Sequence, residues 1–151
     1  MKMSFSDSRR AFAHKLSLVS RAWRRLADFA VAEFGVSNSA GWCLIYVDRL
    51  GPDVRQTDLA EHLEITQPSL FRTITQLEAS GLVERHPNPE DARSNCIALT
   101  PAGQELVGRI EERLDALRRD LLVDVPDAEV DTTIRLLDLL SRRIADRRSQ
   151  I

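Results

Sequence analysis

Gln67, Ser69, Arg72, Thr73 and Gln76 share one side of the stretch QPSLFRTITQLEA when it is read at helical spacing. Their amides, hydroxyls and guanidinium can address base edges and phosphate oxygens. They are not the Lys/Glu lattice of a face that only has to be solvated. Arg72, in mid-stretch, can take guanine O6 and N7 with both arms of its fork. Pro68 and Ser69 lie in the first turn, where free backbone N–H groups suit a phosphate or a base edge. Capping by Thr66 and contact at that end can hold together, so Thr66 joins the set. Gln67, Thr73 and Gln76 read equally well as contacts and as solvated positions. Thr57 or Gln56, a little earlier, suits a phosphate. A second polar group follows in PNPEDARS. Arg93 can enter a minor groove, where negative potential attracts arginine. Asp91 would orient it by a charge-assisted hydrogen bond, with Ser94 alongside. For Arg85 and His86, phosphate contact and a solvated strand face fit equally.

The elements that must hold these residues are legible around them. Leu59, Ala60 and Leu63 give a short helix one apolar face, and Ile65 sits in the following turn, positioned to plug the corner. Thr66 is a good N-cap, Pro68 is tolerated in the first turn, and Leu70, Ile74 and Leu77 bury one face of a second helix. Gly81 supplies its left-handed stop. A polar helix held across a shorter one suits insertion into a DNA major groove. Residues 82–86 and 95–99 are β-like runs with an extended polar loop between them, which reads as a hairpin. Helix-turn-helix followed by a hairpin is a winged helix.

QPSLFRTITQLEASGLVERH, the pair Asp91 and Arg93, and LTPAG at 99–103 together resemble the MarR family of bacterial transcription regulators, most closely its SlyA branch. The resemblance covers nearly the whole chain. It implies a mainly α fold with a small β-hairpin wing, in which a winged helix-turn-helix over 37–100 is joined to dimerisation helices at 8–34 and 101–148. It further implies a homodimeric, sequence-specific transcription regulator, repressor or activator, on a pseudo-palindromic operator, released by a small aromatic carboxylate or phenolic anion. Arg21, Trp42, Tyr46, Arg72 and Thr73 match positions that line the effector cleft in the SlyA-like branch, although an aromatic stripe such as that of Trp42 and Tyr46 is more often core than pocket. Related proteins often cap the helix where this chain has Arg55. Redox-sensing relatives carry a reactive cysteine in the first helix, where this chain has none. No cofactor is implied.

The rest of the chain supports that organisation. Phe12, Leu16, Val19, Trp23 and Leu26 alternate steps of three and four along a first long helix, over 8–34. Ser39 can cap a second, which Gly51-Pro52 ends. Thr100-Pro101 starts another, running to about Val123, with Leu106, Ile110, Leu114, Leu117 and Leu121 on one side. Asp127 can cap the last, with Val130, Ile134, Leu137, Leu140 and Ile144. A winged domain is too small to cover three such stripes. Phe12, Leu16, Leu121, Ile134, Leu137, Leu140 and Ile144 are therefore expected at a two-fold dimer interface, which would suit half-sites about one DNA turn apart.

The net charge of −2 counts mildly against a nucleic-acid partner, but local charge at the contact surface decides. With Arg72 as the only cation on the reading stretch, phosphate contacts per subunit should be few, and useful affinity should need a dimer. No apolar run approaches the roughly 20 residues of a membrane span, and MKMSFSDSRR has no secretory pattern, so a cytoplasmic place is expected. Cys43 and Cys96 read as reduced thiols, and His14, His62 and His86 lack ligand spacing. No nucleophile with a base and no phosphate loop appears, so an enzyme is not expected. A winged helix used for protein–protein contact is the alternative, which the polar stretch and Arg93 oppose.

Overall fold

Why α2 (Asn38–Leu50) lies at the centre follows from its sequence, NSAGWCLIYVDRL, which is apolar nearly all round. Cys43, Leu44 and Val47 enter a cluster with Leu59, Leu70, Ile74, Leu77, Val83, Ile97 and Val107. Ile45 enters a second cluster with Ala27, Ala30, Val31, Ile110 and Leu114. The structure, a computed structural model, describes residues 5–150, with side chains from Asp7 to Gln150. Residues 1–4, on which the secretory reading partly rests, lie outside the described residues.

In chain order the elements are α1 (Phe5–Ala32), α2, β1 (Val54–Arg55), α3 (Gln56–Leu63), α4 (Gln67–Ala79), β2 (Val83–Pro87), β3 (Asn95–Leu99), α5 (Pro101–Leu121) and α6 (Asp127–Arg148). The fold is mainly α with a small antiparallel sheet. The expected hairpin is β2–β3, and β1 adds a third strand, in the order β1-β3-β2. Val54 pairs with Ile97, and Arg85 pairs with Ile97 from the other side. The chain forms two compact units, one ending at Leu117 and one beginning at Arg118.

In the first unit, the body of α5 is tied by ion pairs to the residue that follows α1 and to α2. Arg113 forks onto Glu33 at 2.9 and 3.0 Å, and Arg49 meets Glu111 at 2.8 Å. The Arg113 hydrogen bond holds the Glu33 carboxyl below its ordinary pKa. The start of α5 is pinned to the end of α4. The Thr100 hydroxyl donates to the Gly81 carbonyl at 2.6 Å, and the Thr100 N–H donates to that of Leu82 at 3.1 Å. The same hydroxyl caps α5 by accepting from Gly103 N–H at 3.1 Å, as the sequence implied. Gly81 takes the left-handed stop, at φ 71°. A Cβ on Gly103 would run into the Leu82 carbonyl oxygen, part of the rigid junction itself. Gly103→Ala should therefore destabilise the protein by about 1–3 kcal/mol, as overpacking of a closed site does. A thermal melt that matches the parent protein's would show that the junction gives way freely.

Several local expectations need correction. Ile65 does not plug the corner: it is 39% exposed, and the half-buried Leu63 packs on the core instead. The chain leaves α3 through Glu64 in the left-handed region, φ 53°, which turns Ile65 outward. Ser37, not Ser39, caps α2, accepting from Ala40 N–H at 3.1 Å. Pro126 is the N-cap of α6, so Asp127 lies inside the first turn, where its charge still suits the helix dipole. α1 begins before residue 8 and ends at Ala32, and α5 stops at Leu121. The α5 stripe is also not free along its length, since Val107, Ile110 and Leu114 are buried in the first unit.

In the second unit, α6 has no buried residue, and Ile134, Leu136, Leu137 and Ile144 stand exposed. In the first, α1 shows Phe12, Leu16, Val19, Trp23 and Leu26. Among the described residues no helix is long and apolar enough to cross a membrane.

Candidate nucleic-acid interface

α4, the expected reading helix, is built by its caps and its stripe. Thr66, extended at φ −72°, accepts from Ser69 N–H at 3.4 Å, and its hydroxyl donates to Ser69 Oγ at 3.0 Å. Leu70, Ile74 and Leu77 are buried. At about 100° per residue, the side opposite that stripe carries Pro68, Arg72, Thr75, Gln76 and Ala79. Pro68, Arg72 and Gln76 are exposed and are brought together on that face, whereas Gln67, also exposed, lies about 140° round the helix from Arg72 and does not share it as expected. Ser69 and Thr73 are half-buried at its edge, and the Thr73 hydroxyl donates to the Ser69 carbonyl at 3.2 Å. Thr57 is exposed in the first turn of α3. The α3 start has no side-chain cap; Arg55 instead forks onto Asp58 at 2.7 and 3.0 Å.

Behind the wing tip is a closed network that the sequence reading missed. Asn88 is the buried polar residue of the described core. Its amide donates to Ser94 Oγ at 2.9 Å, its side-chain oxygen accepts from Glu90 N–H at 3.0 Å, and its N–H donates to the Ser94 carbonyl at 3.0 Å. An asparagine between two prolines is the signal that was available, since such a residue commonly bonds to backbone two positions on. Asp91 acts differently from expectation. Its carboxylate accepts from the Arg93 backbone N–H at 2.9 Å, which shapes the turn rather than gripping the guanidinium. Arg93 is exposed at the tip, and Ser94 is half-buried beneath it. At the wing's base His86 Nε2 meets Asp53 Oδ1 at 2.6 Å, while Arg85 turns toward α4 and Glu78. Glu78 is therefore the partner of Arg85, and Arg72 stays unpaired among the described residues.

The residues expected around an effector are spread over α1, α2 and α4. Trp42 packs on the second cluster, donates from Nε1 to Asp28 at 2.7 Å, and carries the Arg24 guanidinium 4.0 Å from its ring centre. Tyr46, one turn on, packs on the first cluster. Arg21 is exposed and bonds to Ser17 at 2.7 Å. Cys43 is buried, and burial pushes its thiol up to about 12, so it stays protonated and unreactive at ordinary pH. Cys96 is also buried, and its pKa is raised by burial first and by Asp53 next. Among the described residues no group of three or more His, Cys, Asp or Glu could hold a metal ion.

Helix-turn-helix, paired strands and an exposed polar face on α4 define a winged helix-turn-helix protein. Residues 34–94 match the model of the MarR family. The whole chain has the MarR-type fold. It is similar to the crystal structure of transcriptional regulator PA3341, with 29% identity and a TM-score of 0.81, over 89% of this chain and 98% of that one. It also resembles a MarR mutant from E. coli complexed with operator DNA, at 21% identity and TM-score 0.72, over 91% and 99% of the two chains. An S. aureus MepR mutant bound to an oligodeoxyribonucleotide matches at 23% identity and TM-score 0.58, over 87% and 96%.

Proposed function

We propose that this protein is a homodimeric, sequence-specific DNA-binding transcription regulator, released from a pseudo-palindromic operator by a small aromatic or phenolic anion. The observation that carries the reading is how the winged part uses its arginines. Residues 37–100 contain five arginines and no lysine. Arg49, Arg55 and Arg85 each hold an acid. Arg72, on the exposed face of α4, and Arg93, at the wing tip, hold none among the described residues. These two are the cations available to a polyanion, one suited to a major groove and the other to the adjacent minor groove. Thr57, Gln67, Pro68, Ser69, Thr73 and Gln76 add further contacts, and Asp91 and Ser94 hold the wing tip.

Dimerisation through α1 and the C-terminal helices is supported by their exposed apolar residues, and it doubles a sparse set of phosphate contacts. For release, an anion near Trp42 and Tyr46, as in the SlyA-like branch, must bind the DNA-incompetent spacing of the dimer better than the competent one. Two measurements test the reading together. Genomic double-stranded fragments retained by the purified protein should converge on one inverted repeat. Salicylate should then change tryptophan emission saturably and weaken binding to that repeat by about 5- to 150-fold, the usual range of allosteric coupling. Fragments without a shared sequence would remove operator specificity. A flat emission titration to millimolar salicylate, with undisturbed DNA binding, would leave Trp42 and Tyr46 as core residues.

A further inference from the structure

Phe71 lies outside the buried stripe of α4 and is 50% exposed, although it is the largest apolar side chain of that helix. Phe71, Thr75 and Glu78 are spaced four and three apart, so they form one ridge along the side of α4. A single side chain from β2 lies along that ridge. The Arg85 guanidinium carbon is 4.7 Å from the Phe71 ring centre. Its Nη2 stands 3.2 Å from Glu78 Oε2 and 3.4 Å from Thr75 Oγ1. The Thr75 hydroxyl itself donates to the Phe71 carbonyl at 2.8 Å. The Arg85 side chain is only 16% exposed, and its Nε is buried without a hydrogen-bond partner.

We propose that Arg85 is a positioning residue that brackets the wing to the reading helix through Phe71, Thr75 and Glu78, and does not contact phosphate. The proposal deepens the DNA-binding reading above, on which its affinity arm rests. Two five-residue strands, backed by a two-residue third, make a hairpin that depends on a lateral tie. Arg85 sits at the middle of β2, opposite Ile97 of β3, so a tie there acts on both strands. It sets the angle of the wing against α4, and with it where Arg93 stands relative to Arg72. To reach a phosphate the guanidinium would have to leave a carboxylate and an aromatic face together. Lysine cannot replace it, because a point ammonium lacks the planar face that stacks and the fork that spans an acid and a hydroxyl.

The experiment compares Arg85→Ala, Arg85→Lys, Glu78→Gln and the double variant Arg85→Ala/Glu78→Gln. The DNA probe is the fragment that the parent protein retains most tightly from a random double-stranded library. The bracket predicts about a two- to fivefold loss of affinity for each single variant, as expected for a partly exposed ion pair. The double variant should lose no more than the worse single one, and the slope of log affinity against log salt should be unchanged. A phosphate contact predicts otherwise: Arg85→Ala lowers that slope by about one, and Glu78→Gln tightens binding by freeing the arginine. Either result overturns the proposal. A second readout needs no DNA. Nitroxides at Ala79→Cys and Ala92→Cys, both exposed positions, report the spread of wing-to-helix distances by pulsed electron resonance. Arg85→Ala and Glu78→Gln should both broaden that distribution. Should the parent protein retain no fragment, the DNA reading falls, and an unchanged width in Arg85→Ala would still overturn the bracket.

Discussion

Arg72→Ala is expected to weaken operator binding by about 1–3 kcal/mol per half-site and to flatten preference at one base pair in each. In a two-fold dimer the loss counts twice, which places the variant near the affinity of non-specific binding. The size follows from geometry. Arg72 is exposed opposite Leu70, Ile74 and Leu77, and it spends no hydrogen bond on another described residue. Removing it therefore costs the fold little and the complex much. Arg93→Ala should cost less, with a loss tied to A·T content, because a narrow minor groove is read by its potential rather than by a base pattern. Competition binding against operators varied one base pair at a time checks both. Unchanged affinity in the two variants, with native circular dichroism, would dismiss the major-groove and wing assignments together.

The second large effect is expected at the other end of the chain. Replacing Leu137 and Leu140 with glutamate should abolish the dimer and with it measurable operator binding. α6 has no buried residue of its own, yet it carries Ile134, Leu137, Leu140 and Ile144 at helical spacing. Such a stripe is stable in water only when something apolar covers it. Two carboxylates on it would stay with water and hold a second copy away. Binding through one half-site then loses the advantage of linked sites, commonly 10²–10⁴ in affinity. Light scattering across a concentration series decides the point. A double variant of dimeric mass would place the interface elsewhere.

Some of this was legible in the chain and some was not, for physical reasons. Thr66, Thr100 and Gly81 act on backbone groups one to three residues away, or through their own φ, so their roles can be read locally. The stripe of α4 fixes its outward side by subtraction, which brings Arg72 and Gln76 out together. β1 was invisible because Val54 and Arg55 are two residues without alternation. They become a strand only when β3 lies beside them. Ser37 and Ser39 are equally good caps as residue types, and the path out of α1 chooses between them. Ile65 failed as a plug because the turn's left-handed residue, Glu64, sets where its neighbour points. Arg85 was ambiguous because its partners stand on another element. Only the docking of the wing decides between Glu78 and solvent.

The junction of Thr100 with Gly81 and Leu82 carries a last consequence. Its hydrogen bonds join positions 19 and 18 apart, so both ends of the wing are clamped at one place. What lies between is a closed excursion from a continuous helical frame. The length and composition of 88–94 can thus drift without moving α4 or α5, because lengthening a clamped loop adds only about 0.6 kcal/mol per doubling. A lineage, or an engineer, can retune what the tip reaches as a cartridge exchanged in a fixed holder, while the spacing of the holder answers to other parts of the chain.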